Sequence, residues 1–163
     1  MLRIDELLAA NERYVAGGGP EPAESGRPRK HIAIVTCMDA RIDVFAVLGL
    51  HVGEAHILRN AGGRLTDDVL RSLALSTHAL GVDTVVLMQH TACGLTGVTD
   101  EQLQELTGTD LEFLPIDDHA RSITEDLDSL FDTPYLEGIH LLAGLVYDVV
   151  TGKVDEIARR SRS

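Results

Sequence analysis

Apolar positions along this chain follow two rhythms, a helical one near 3.6 residues and one of short unbroken runs. Ile4, Leu7, Leu8, Tyr14 and Val15 share one side of residues 3–16, which predicts an amphipathic helix. Gly17-Gly18-Gly19-Pro20 stops it, and residues 17–30, rich in Gly, Pro and charge, predict an irregular connection. The run His31-Ile32-Ala33-Ile34-Val35 is short and β-branched, which predicts a buried strand over 31–36. Val44, Phe45, Val47 and Leu48 suggest a short helix closed by Gly49, and a second strand follows over 55–59. Asn60-Ala61-Gly62-Gly63 turns the chain. Thr66, Asp67 and Asp68 offer a cap and first-turn carboxylates to a helix that buries Val69, Leu70, Leu73, Ala74, Thr77 and Leu80, ending at Gly81.

A third strand is predicted over 84–89, running into His90. Residues 94–116 show no clear period beyond a brief helix at 100–106. Residues 117–131 carry Ala120, Ile123, Leu127, Leu130 and Phe131 at helical spacing, and Pro134 bars continuation. The apolar run 139–150 reads as a strand, Thr151-Gly152 as a turn, 153–157 as a short return strand and 161–163 as a frayed tail. Strands that are continuously apolar and alternate with helices predict one α/β domain, residues 1–163, with a central, mostly parallel β-sheet flanked by helices. Residues 1–30 form an N-terminal helical arm and linker suited to packing on a second subunit.

Composition narrows the function. Lys and Arg number 14 against 26 Asp and Glu, a net charge of −12, which disfavours nucleic acid and anionic membrane as partners. No apolar stretch approaches the ~20 residues of a membrane span. The N-terminus lacks the apolar core of a secretory signal, so a cytoplasmic location is expected. The two cysteines, Cys37 and Cys93, form no Cys-x-x-Cys pair, which excludes a thiol redox motif and leaves them as thiols in a reducing compartment.

Both cysteines stand where a strand is predicted to end. Cys37, Asp39 and Arg41 alternate after the first strand; continued extension would turn all three toward one spot. His90-Thr91-Ala92-Cys93 closes the third strand, with His90 and Cys93 spaced to clasp one metal from a single turn. Ligands in such sheets bind outside the carboxyl ends of strands, so the two clusters meet if the strands are neighbours. Two thiolates and an imidazole favour Zn2+ over hard cations, and three protein ligands leave the exchangeable position of a catalytic site. Asp39 either closes that position as a fourth ligand or pairs with Arg41 and leaves it to water. Two thiolates offset the charge of the ion, so activity is expected to favour alkaline pH. The His-x-Glu and Pro-Cys-x-x-Cys elements of nucleoside deaminases are missing.

Cys37-Met38-Asp39-Ala40-Arg41, His90-Thr91-Ala92-Cys93-Gly94 and the intervening Arg59-Asn60-Ala61-Gly62 resemble the paired zinc motifs of the β-class carbonic anhydrases, in the compact prokaryotic branch. The likeness runs in order from about residue 30 to 150 and departs at Ala40, where many relatives carry Ser. It implies zinc on Cys37, His90 and Cys93, an Asp39–Arg41 dyad that gates the fourth position, and a Gly94 N–H offered to substrate oxygen. It further implies a homodimer or higher oligomer embraced by the N-terminal helix. The implied reaction is reversible hydration of CO2 to bicarbonate and a proton by zinc-bound hydroxide. By ordinary pKa alone, His51, His56, His78, His119 and His140 are candidate proton relays. The rivals are a CS2 or COS hydrolase on the same fold and a non-catalytic zinc protein closed by Asp39.

Overall fold

The computed structural model describes residues 3–20 and 25–162. Residues 21–24 of the expected connection and Ser163 of the expected tail lie outside the described residues. In chain order the elements are α1 (Arg3–Ala16), β1 (Ile32–Cys37), α2 (Val44–Leu48), β2 (Ala55–Asn60), a 3-10 turn (Ala61–Gly63) and α3 (Asp67–His78). There follow β3 (Thr84–His90), α4 (Asp100–Thr107), α5 (His119–Phe131), a second 3-10 turn (Pro134–Leu136), β4 (Leu141–Tyr147) and β5 (Val154–Ser161).

The five strands form one sheet in the order β2-β1-β3-β4-β5, parallel except for the last pair. The adjacency on which the site depends is present. β1 and β3 pair side by side, from Ile32 opposite Thr84 to Thr36 opposite Met88, so both deliver their carboxyl ends to the same edge.

Alternate residues of the central strands feed two apolar layers. Ala33, Val35, Val85 and Leu87 pack with Val69 and Leu73 of α3 and with Ile123, Leu127 and Leu130 of α5. Ile34 and Met88 pack on the other side with Ile42, Val44, Leu95 and Ile116. Gly144 of β4 lets α5 approach: a Cβ there would stand 2.1 Å from Ile123 Cγ2. Helix α1 contributes nothing to either layer, and its Ile4, Leu7, Leu8, Tyr14 and Val15 are exposed.

Some local expectations need correction. The strand expected over 139–150 is confined to Leu141–Tyr147, because Asp148 ends it by accepting from the N–H groups of Val150 and Thr151. The return strand is longer than expected, since pairing with β4 holds its charged residues through Ser161. The tail therefore does not fray at residues 161 and 162: Arg162 donates to the Ile139 and Phe131 carbonyls and stacks 4.1 Å from the Phe131 ring centroid. Thr66 sits at the N-cap of α3 but makes no side-chain capping bond. Its hydroxyl accepts from Asn60 Nδ2 at 3.4 Å instead.

Candidate metal centre

Cys37 ends β1 and His90 ends β3; Cys93 follows after a turn. That turn bends through Ala92, which sits at φ +54. Thr91 anchors it, its N–H donating to Tyr147 O at 2.9 Å and its hydroxyl accepting from Val149 N–H at 3.1 Å. The Cys37 and Cys93 sulfurs are 3.9 Å apart. These sulfurs and a His90 ring nitrogen all lie within 4.8 Å of one another, and all three residues are buried.

His90 is oriented for ligation. Its Nδ1 lies 2.9 Å from the Thr91 carbonyl, so Nδ1–H donates there and Nε2 keeps the lone pair. That Nε2 is buried without a hydrogen-bond partner among the described residues, a costly arrangement unless something else satisfies it. Burial also pushes the imidazole pKa below its ordinary value, keeping the ring neutral. Two sulfurs on one tetrahedral zinc, each bonded at about 2.3 Å, would stand roughly 3.8 Å apart. The orphaned nitrogen, the sulfur separation and the soft donor set all fit zinc. Burial, with Cys37 beside it, pushes the Cys93 thiol up; a cation between the sulfurs reverses that preference.

Asp39 and Arg41 do not lie on an extended segment. β1 ends at Cys37 and the chain turns, with Ile42 N–H donating to Asp39 O at 3.1 Å. Asp39 stabilises this turn itself, since Oδ1 accepts from the Arg41 N–H at 2.9 Å. The two side chains then meet face to face, Nε to Oδ1 at 2.9 Å and Nη2 to Oδ2 at 2.6 Å. The Arg41 guanidinium, with its backbone N–H, holds the Asp39 carboxyl well below the usual carboxylate range. Oδ2 is still only 3.8 Å from His90 Nε2. Arg41 Nη2 also donates to Ala92 O at 3.0 Å, tying the two halves of the centre together.

Backbone contacts fix the rest. Arg59 donates to the carbonyls of Cys37, Asp39 and Ile42 at 3.0, 2.6 and 3.2 Å, clamping the turn. Gly63, at φ +64, lies so close that a Cβ would reach 3.0 Å from Cys37 N and 3.1 Å from Met88 O. A cavity of about 360 Å³ opens beside the centre, lined by Cys37, Asp39 and Cys93, by Gly94, and by apolar Met38, Leu95 and Phe113. Gly94, next after Cys93, is one of these lining residues. None of His51, His56, His78, His119 and His140 lines this cavity. His56 is engaged with Ser76 and Gly26, His78 with Tyr135, and His119 with Gln89.

Sequence reasoning missed Phe113 as a wall and the buried Arg64–Asp126 pair behind it. The signal available was Asp126 on the buried side of the helical pattern of Ile123, Leu127 and Leu130; nothing in the sequence around Arg64 marks it.

Comparison with known proteins agrees with this geometry. A family described as "Carbonic anhydrase" matches residues 32–137. Beta-carbonic anhydrase 1 of Mycobacterium tuberculosis is 42% identical over 164 residues, covering 96% of this chain and 99% of that protein. The crystal structure of carbonic anhydrase from Streptococcus mutans superposes with a TM-score of 0.86 at 41% identity, covering 97% of this chain and 99% of the other. A carbon disulfide hydrolase of Saccharolobus solfataricus is 40% identical over 74 residues, only 45% of this chain and 36% of that protein. The chain belongs to the β-carbonic anhydrase family of enzymes.

Proposed function

We propose that this chain catalyses the reversible hydration of CO2 to bicarbonate and a proton, with zinc held by Cys37, His90 and Cys93. The supporting observation is the convergence of two thiols and an orphaned imidazole nitrogen beside an apolar cavity, with the nearest carboxylate engaged by Arg41. Zinc held there would act as a Lewis acid that makes water nucleophilic, on the alkaline side because two thiolates offset its charge.

The chain's own groups divide the remaining work. The Thr91 carbonyl fixes the His90 tautomer. Arg41 keeps Asp39 ionised and drawn away from the metal position, so the carboxylate can accept a hydrogen bond from the attacking water and aim its lone pair. Loss of that grip lets Asp39 swing in and close the site. CO2 carries no charge, and the Met38, Leu95 and Phe113 side chains offer it an apolar resting place. Gly94 N–H donates to an oxygen of the product as negative charge gathers there. The proton leaves to solvent through the open cavity.

Two rivals have less support. Likeness to carbon disulfide hydrolases reaches 67% of the chain at 34% identity, whereas likeness to carbonic anhydrase covers 96% at 42%. A permanently closed zinc protein conflicts with Arg41 occupying both Asp39 oxygens.

The exposed apolar side of α1 supports a homodimer in which this helix packs on the partner. Among the described residues no helix is long and apolar enough to cross a membrane. The free thiols of Cys37 and Cys93 favour the cytoplasm. Stopped-flow CO2 hydration on zinc-verified protein tests the activity. Turnover that saturates with CO2 and vanishes with the metal is expected; a rate equal to buffer alone at one zinc per chain refutes it.

A further inference from the structure

The cavity beside the metal centre is lined by three segments that carry the site motifs and by one that does not. Phe113 comes from the stretch between α4 and α5, whose one ladder contact is the bridge of Ile116 to Thr96. That stretch is nevertheless pinned from three directions. Phe113 N–H donates to Asp100 Oδ1 at 2.6 Å, and Ile116 N–H donates to Leu95 O at 2.8 Å. Arg64 Nη1 donates to the carbonyls of Leu114 and Pro115 at 2.6 and 3.2 Å. Leu114 itself sits at φ +56, a conformation unusual for a residue with a side chain. The bonds around it hold a bend the segment would not keep alone.

Arg64 is fixed in turn from behind. Its Nε and Nη2 meet Asp126 Oδ2 and Oδ1 at 2.7 and 3.1 Å, and both residues are only 7% exposed. Asp126 Oδ2 also accepts from Leu65 N–H at 3.3 Å. A planar guanidinium bonded through all three nitrogens has one orientation. Its stem runs past Gly62, another wall of the cavity: a Cβ there would stand 3.2 Å from Arg64 Cγ. The pair therefore ties α5, the turn after β2 and the Phe113 segment into one unit.

We propose that Phe113 sets the width of the cavity and so selects slender, rod-shaped substrates, and that the Arg64–Asp126 pair is the positioning device that holds it there. The inference deepens the CO2 reading and rests on it. Phe113 is the aromatic side chain among the walls, and Leu95, 7% exposed, is the other fixed apolar one. Met38 is exposed and flexible, and Ala61, Gly62 and Gly94 have little or no side chain. CO2 passes such a ring end-on, whereas broad ligands meet it.

The test uses full-length, zinc-loaded protein and two probes that need no turnover, thiocyanate as a rod and benzoate as a broad planar anion. Affinities are measured by titration calorimetry beside stopped-flow CO2 hydration. Phe113→Ala is expected to tighten benzoate at least about tenfold while thiocyanate stays within about threefold. Phe113→Leu, which restores bulk, should return most of the discrimination. Arg64→Lys keeps a cation opposite Asp126 but cannot reach carboxylate and carbonyls together; Asp126→Asn is a second, milder loosening. Both should move the affinity ratio in the same direction with Phe113 intact.

An unchanged ratio in Phe113→Ala, or parallel weakening of both anions, overturns the selector. A lower thermal midpoint with an unchanged ratio in Arg64→Lys and Asp126→Asn makes the pair merely structural and overturns the positioning role. Failure of the parent protein to bind thiocyanate overturns the cavity as a substrate site. If the ratio shifts as expected but no form hydrates CO2, the selector stands and the CO2 reading is what fails.

Discussion

Arg41 holds Asp39 by both carboxylate oxygens, at 2.9 and 2.6 Å, while Asp39 Oδ2 remains 3.8 Å from the orphaned His90 Nε2. The carboxylate thus stands beside the metal position and is restrained by one neighbouring residue, through its guanidinium and its backbone N–H. Arg41→Ala is expected to lower CO2 turnover at least about tenfold, a usual range for groups that orient a metal site. Zinc should stay near one per chain. Stopped-flow kinetics with elemental analysis on the same sample checks both; full turnover would refute the restraint.

The same pair has a signature in acid. The folded Asp39 carboxyl titrates well below its ordinary value of 3.8, chiefly through the hydrogen bond from Arg41. Its contribution is therefore present above that ordinary value and is lost as pH falls through the folded one. The thermal midpoint of the parent should exceed that of Arg41→Ala at pH 5, and the gap should narrow as pH is lowered through 4 and below. A gap that widens on acidification would contradict the assignment.

Gly63→Ala should be costly although it adds one methyl group. The residue has φ +64, and the new Cβ would press on backbone atoms of Thr36, Cys37 and Met88 at 3.0–3.1 Å. Roughly 2–4 kcal/mol of stability should be lost, from the left-handed conformation plus the contact. Because Cys37 is among the displaced atoms, zinc affinity should fall as well. Urea unfolding and a competitive zinc titration read the two effects.

These positions differ in how far the sequence reveals them. Cys37 and His90 are legible because each ends an apolar run, and Cys93 because it follows His90 by three; that the two clusters meet depends on β1 pairing with β3, which periodicity does not fix. The chemistry of two thiols and an imidazole needs no further context. Phe113 is not legible, because residues 94–116 lack a period and its place is fixed by Arg64, far away in the chain. Asp39 and Arg41 were expected to meet through an extended segment; they meet through a turn that Asp39 itself caps, a local bond that outweighs continuation of the strand. The charged residues of β5 hid its length, since Asp155, Glu156, Arg159 and Arg160 mask the alternation of an edge strand.

Helix α1 should be needed for assembly and not for folding of the core. None of its residues is buried, and Leu7 and Leu8 are 66% and 59% exposed. Leu7→Glu with Leu8→Glu should shift the protein from dimer to monomer in sedimentation velocity while the far-ultraviolet circular dichroism keeps its α/β form. A dimer that survives both charges would place the interface elsewhere.

The most direct test is zinc-edge X-ray absorption on the purified, unchelated protein beside Cys93→Ala. Two sulfur neighbours at about 2.3 Å and one imidazole nitrogen at about 2.0–2.1 Å are predicted for the parent, with one further light atom. The substitution should remove one sulfur or the metal altogether. A shell of oxygen and nitrogen alone, or a parent protein with no stoichiometric zinc, would contradict the account.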